Sequence, residues 1–117
     1  MKTKNILKCV AGVFAGMTIA AAAQANPAHD MISSVSEAKR QQVFTRFLSD
    51  SGEKCSSVDR TFYQGSDKKG NAFWNASCAG GKSFLIQVNN DKPGSTRILG
   101  CNVLKAVNGG TCFKKLK

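Results

Sequence analysis

The chain has 117 residues, with 17 lysines and arginines against 7 acids, for a formal net charge of +10. One histidine, few carboxylates and five cysteines without a C-x-x-C pair leave little material for acid–base, metal or thiol-exchange chemistry. The positive charge instead favours polyanions, acidic proteins or anionic surfaces through long-range attraction.

The first 25 residues read as a signal peptide. Lys2, Lys4 and Lys8 form a positive start, residues 10–23 are apolar apart from Gly12, Gly16 and Thr18, and Ala23-Gln24-Ala25 gives a small-x-small cleavage pattern. Cleavage is expected between Ala25 and Asn26, and the apolar run is short for a membrane span. Removing 25 of 117 residues leaves 92, with 14 basic residues against 7 acids, a net +7. A domain this small buries only about 60–65% of its unfolded surface, so its stability is marginal without help. Without Cys9, four cysteines remain: Cys55, Cys78, Cys101 and Cys112. An even count in a short exported chain reads as two disulfides formed in an oxidising compartment.

In chain order, residues 26–32 contain Pro27 and are expected as a flexible arm before a single domain over 33–117. Ser34-Val35-Ser36-Glu37 has the spacing of a capping box. Val43, Phe44, Phe47 and Leu48 recur with helical period, and Gly52 is a natural stop. From Cys55 the period changes to that of strands, expected over residues 58–64, Ala72–Cys78, Ser83–Val88 and 96–104. Lys92-Pro93-Gly94-Ser95 fits a type II turn.

A three-residue turn, Ala79-Gly80-Gly81, places Trp74 opposite Ile86 and Ala76 opposite Phe84. The type II turn then places Val88 opposite Leu99 and Ile86 opposite Cys101. One face collects Trp74, Ala76, Cys78, Phe84, Ile86, Val88, Leu99, Cys101 and Val103. The other is polar except for Phe73, Leu85 and Ile98. A strand lies between Cys78 and Cys101, so they sit about 10 Å apart, beyond disulfide reach. Cys55–Cys78 with Cys101–Cys112 is the preferred pairing; Cys55–Cys101 with Cys78–Cys112 stays open.

Several chemical patterns fail on inspection. Ala79-Gly80-Gly81-Lys82-Ser83 ends like a phosphate loop, but Ala76 stands where the first glycine belongs and a strand follows. No nucleotide is expected. His29 falls in the arm, where no nucleophile and third group lock it. The four cysteines are separated by 22, 22 and 10 residues, poor spacing for zinc, so neither metal nor cofactor is expected. Asp59 is the least explained acid. No aromatic platform for single-stranded nucleic acid is evident, and no sequence-specific nucleic-acid reading arises.

Phe73-Trp74-Asn75-Ala76-Ser77-Cys78-Ala79-Gly80-Gly81, residues 84–88, Leu99-Gly100-Cys101 and Cys112-Phe113 carry a resemblance. In them the chain resembles small exported proteins of Gram-negative bacteria that join a leader, one helix and a cysteine-bearing antiparallel sheet. The resemblance implies a fold and a periplasmic or secreted location, and it implies no activity. The Cys78-Ala79-Gly80-Gly81 turn is also similar to part of the periplasmic lysozyme inhibitors, which are β-barrels.

The expected fold is α+β, one N-terminal helix on a four-stranded antiparallel meander with two disulfides. The expected function is a non-enzymatic periplasmic or secreted binding or accessory protein whose partner is an acidic protein or an anionic envelope surface. Candidate binding residues are Phe73, Leu85 and Ile98, with Lys68 and Lys69 steering the partner. A small periplasmic hydrolase or enzyme inhibitor is the alternative.

Overall fold

The computed structural model describes residues 26–115, so the expected leader and its cleavage site lie outside the described residues. Two helices, α1 (Pro27–Ser34) and α2 (Glu37–Asp50), precede strands β1 (Val58–Ser66), β2 (Ala72–Cys78), β3 (Ser83–Val88) and β4 (Thr96–Gly100). A third helix, α3 (Cys101–Asn108), follows without a loop. The sheet is an antiparallel meander in the order β1-β2-β3-β4. The α+β class holds, but the helix is not a single N-terminal one.

The central hairpin forms as its residues dictate. Gly80 and Gly81 both take φ near +104°, open to glycine at little cost. The Cys78 amide donates to the Lys82 carbonyl at 2.7 Å, closing the three-residue turn. Trp74 then pairs with Ile86 and Ala76 with Phe84. Their common face meets Phe44 and Leu48 of α2 and Ile32 of α1 in one buried cluster. Each such side chain contributes about 1.5–3 kcal/mol on burial.

Where an arm is expected, the chain forms α1. Asn26 is its N-cap, accepting from the His29 amide at 3.1 Å, and Pro27 takes the first turn. Proline suits that position because its missing N–H would be unpaired there anyway. Asn26 is itself buried, and its amide nitrogen donates to the Gly70 and Val88 carbonyls at 2.9 and 3.1 Å, which pins α1 to the sheet. The cap of α2 is Ser36 rather than Ser34, accepting from the Lys39 amide. Val35 takes an extended conformation between the two helices. Glu37, freed from capping, reaches β1 and accepts from the Thr61 amide and hydroxyl at 3.0 and 2.6 Å.

The fourth strand departs most from expectation. The β3–β4 turn closes from Asp91, whose carbonyl accepts from the Gly94 amide and whose carboxylate accepts from the Ser95 amide and hydroxyl. Ile86 consequently pairs with Ile98 and Leu85 with Leu99, a slip of three residues. An odd slip exchanges the two faces of a strand. Ile98 therefore packs against the core, and Leu99 takes the outer position expected for Ile98. The strand stops at Gly100, so Cys101 and Val103 belong to α3, which ends where Gly109 adopts φ 75°.

Both preferred disulfides are present. Cys55–Cys78 has its Cα atoms 5.6 Å apart and Cys101–Cys112 6.0 Å. The first ties the segment after α2 to the end of β2, and the second folds the C-terminal segment back across the sheet.

Candidate docking surface

The face of the sheet turned away from α1 and α2 is built around Asn75, a fully buried polar residue in the middle of β2. Its Oδ1 accepts from the Gln64 side chain and from the Phe113 amide, both at 2.7 Å. Its Nδ2 donates to the Cys112 sulfur at 3.3 Å. Gln64 also donates to the Lys114 carbonyl, and Lys115 Nζ donates to the Gln64 carbonyl, each at 2.6 Å. Phe113 adopts φ 66°, uncommon for an aromatic residue. Its ring lies 6.2 Å from that of Phe62 and beneath the Arg60 guanidinium, 4.0 Å away. The C-terminal segment thus covers the β1–β2 half of this face.

The β3–β4 half is more open. The chain crosses it as α3, whose Leu104 is buried outside the main core cluster. Leu85, Gln87, Arg97, Ile98 and Leu99 line a hollow of about 200 Å³ beside the β4 edge. Leu85 and Leu99 are half-buried partners and Arg97, opposite Gln87, is exposed. By register, the paired strand positions on this face include Arg60 and Arg97, with Asp59 in the bulge next to Arg60.

The expected site residues divide. Phe73 and Leu85 share the outer face as diagonal neighbours, half-buried, with Phe73 opposite Gln87 and Leu85 opposite Asn75. Ile98 lies on the opposite face. Lys68 and Lys69 are exposed in the β1–β2 loop at one end of the sheet, tied through the Lys69 carbonyl to Asn90 of the β3–β4 loop. They neighbour the Lys92 turn and stand apart from the hollow. Arg97 and Leu99 are the residues that sequence reasoning misses, and a correct β4 register would have found both by alternation.

The acids are held locally. Burial pushes the Glu37 carboxyl up, but hydrogen bonds from Thr61, Gln41 and Arg40 outweigh it and hold the group below its ordinary range. Slight desolvation raises Asp67, and hydrogen bonds from Asn71 and the Lys69 amide more than reverse that. Ser95, through its hydroxyl and its amide, holds Asp91 low. Among the described residues, Arg40–Glu37 at 2.9 Å is the one ion pair, so most cations face solvent without a carboxylate partner.

A hollow of about 620 Å³ is lined by Glu53, Lys82, Ser83, Phe84 and the first turn of α3, one acid and one base with no convergent carboxylates. His29 is stacked on Tyr63 at 4.8 Å and joined to Trp74, so it is a packed residue of α1 rather than part of an arm. Among the described residues, no group of three or more His, Cys, Asp or Glu is placed to hold a metal ion. No protein-family model, curated protein or solved structure matches this chain.

Proposed function

We propose that this chain is a non-enzymatic binding or accessory protein of the periplasm or the secreted fraction, docking an acidic protein partner on the outer face of its sheet. The observation that carries this reading is the composition of that face. Arg97, exposed and opposite Gln87, stands beside the half-buried pair Leu85 and Leu99, and the β3 and β4 strand positions include no carboxylate. Cations raise the encounter rate with an acidic surface, while apolar groups lengthen the stay once contact is made. The two disulfides and the leader-like start of the sequence support an oxidising compartment outside the cytoplasm.

A protein is preferred to an anionic lipid surface because the open half of the face is a strand pair with a hollow sized for a side chain. The test measures binding of a fluorescent glutamate-rich peptide at low and high salt, with phosphatidylglycerol vesicles as a second arm. The wild-type association rate should fall as salt rises, because screening shortens the reach of Arg97. Arg97→Glu should keep the wild-type melting temperature and lose binding. Equal binding by wild type and Arg97→Glu, or binding of vesicles alone, would remove this reading.

A further inference from the structure

The two edges of the sheet are treated differently. On β1, α2 and the C-terminal segment satisfy the free edge. Glu37 accepts from the Thr61 amide, Gln41 donates to the Asp59 carbonyl at 3.2 Å, and Lys115 donates to the Gln64 carbonyl. On β4 no such cover exists among the described residues.

The ladder shows which β4 groups are free. The Cys78–Lys82 bond makes the even-numbered residues of β3 the hydrogen-bonding partners of β2. The Asn89 amide donates to the Ser95 carbonyl at 2.8 Å, so odd-numbered residues of β3 bond to β4 through Ser95, Arg97 and Leu99. Alternation then turns the main-chain N–H and C=O of Thr96 and Ile98 away from the sheet. An unpaired edge of this kind is a template for another strand.

We propose that β4 takes up an extended, acidic segment of the partner as a fifth antiparallel strand, paired through the main chain of Thr96 and Ile98. This rests on the docking reading above and names its occupant. The residue opposite Arg97 points to the outer face, beside the hollow lined by Leu85, Gln87 and Leu99. Opposite charges directly across a strand pair attract, so that position is acidic. The residues opposite Thr96 and Ile98 point to the inner side, where Ile98 is half-buried against the core, and they are apolar or β-branched. A second copy of this chain is disfavoured there. It would set Arg97 against its counterpart and join two strongly basic molecules.

The test uses a capped heptapeptide of alternating valine and glutamate, with two analogues of equal charge. One is N-methylated at the valines, whose amides face β4, and the other at the glutamates, whose amides face away. The parent peptide and the glutamate-methylated analogue are expected to bind alike and to slow amide exchange at Thr96 and Ile98. Methylated valines should weaken binding roughly tenfold or more, the loss of about one net hydrogen bond or more. Thr96→Pro, which removes an outward N–H from an edge strand that tolerates proline, should weaken the parent peptide similarly without lowering the melting temperature.

Equal binding of both analogues would overturn strand addition and leave the docking reading standing. Failure of every acidic peptide at low salt would remove the docking reading itself. Protection of Thr96 and Ile98 in a self-associated dimer, without peptide, would replace the acidic occupant with a second copy and overturn the proposal.

Discussion

The indole N–H of Trp74 donates to Nδ1 of His29 at 3.1 Å, joining the central hairpin to α1. Indole nitrogen can only donate, so His29 must be neutral with its proton on Nε2. Burial lowers the His29 pKa from its ordinary value near 6.5, and the Asp30 charge only partly opposes this. The other charged groups facing the cluster are cations, Arg40 at 5.1 Å from the Trp74 ring and Lys115 at 5.6 Å from the Tyr63 ring. The unfolded chain therefore binds a proton on His29 more readily than the folded one. The stabilisation is complete above pH 6.5 and is lost as pH falls through the lower folded value. Melting temperatures measured between pH 8 and pH 5 should decline on the acid side. His29→Gln should flatten that decline, and an unchanged slope would show that the hydrogen bond contributes nothing.

Gly94 and Ala28 bring the β3–β4 turn against α1. A Cβ on Gly94 would lie 2.6 Å from the Ala28 Cβ, and Gly94 has φ 65°. The left-handed backbone alone costs an alanine about 1–2 kcal/mol, and the collision adds to it. Gly94→Ala should destabilise the protein, with α1 exchanging its amides faster. Adding Ala28→Gly removes the collision and keeps the backbone cost. The double variant should therefore lose less stability than the two single losses combined. Simple additivity would mean that α1 does not pack there.

Disulfide mapping tests strand order. Non-reducing digests should yield peptides linked Cys55–Cys78 and Cys101–Cys112. On the loop-entropy model each bond contributes about 3 kcal/mol, so Cys101→Ser with Cys112→Ser should lower the melting point markedly. A peptide joining Cys78 to Cys101 would contradict the meander, in which β3 lies between β2 and the start of α3.

The hairpin over β2 and β3 was legible because its glycine turn and its alternation agree on one register. The fourth strand was not, for a physical reason visible in two residues. Ile98 and Leu99 are adjacent and both apolar, so either can face the core, and the choice falls to the turn. Pro93-Gly94 admits closure from Lys92 or from Asp91, and only the Asp91 carboxylate, bonding Ser95, decides it. The same ambiguity hid Arg97 from the candidate site, though Phe73 and Leu85 were placed on the correct face. α1 was missed because Pro27 signals a break as readily as a helix start, and the buried contacts of Asn26 and Ile32 are tertiary. α3 reads as strand from sequence because Leu99, Cys101 and Val103 alternate through the fourth-strand span.

Asn75 is the residue whose role no local signal announces, since its partners lie 11 to 38 positions away. Asn75→Ala would leave the Phe113 amide without its acceptor and the Cys112 sulfur without its donor, beneath a covered surface. Leaving buried polar groups unpaired costs about 1–3 kcal/mol, so stability should fall by that amount. The structure-specific consequence concerns the C-terminal segment. Phe113 holds a left-handed backbone, and without the Asn75 bond its amide should exchange roughly tenfold faster or more, since tenfold corresponds to about 1.4 kcal/mol. Amides of β3, which pair through the main chain, should change only with global stability. Fluorescence of a probe attached near Lys114 should report the same release. If Phe113 exchange stays at the wild-type rate while the protein remains folded, Asn75 does not anchor the segment. The cover over β1 and β2 would then rest on the Cys101–Cys112 bond, the Gln64 hydrogen bonds to Lys114 and Lys115, and the packing of Phe113 against Arg60 and Phe62.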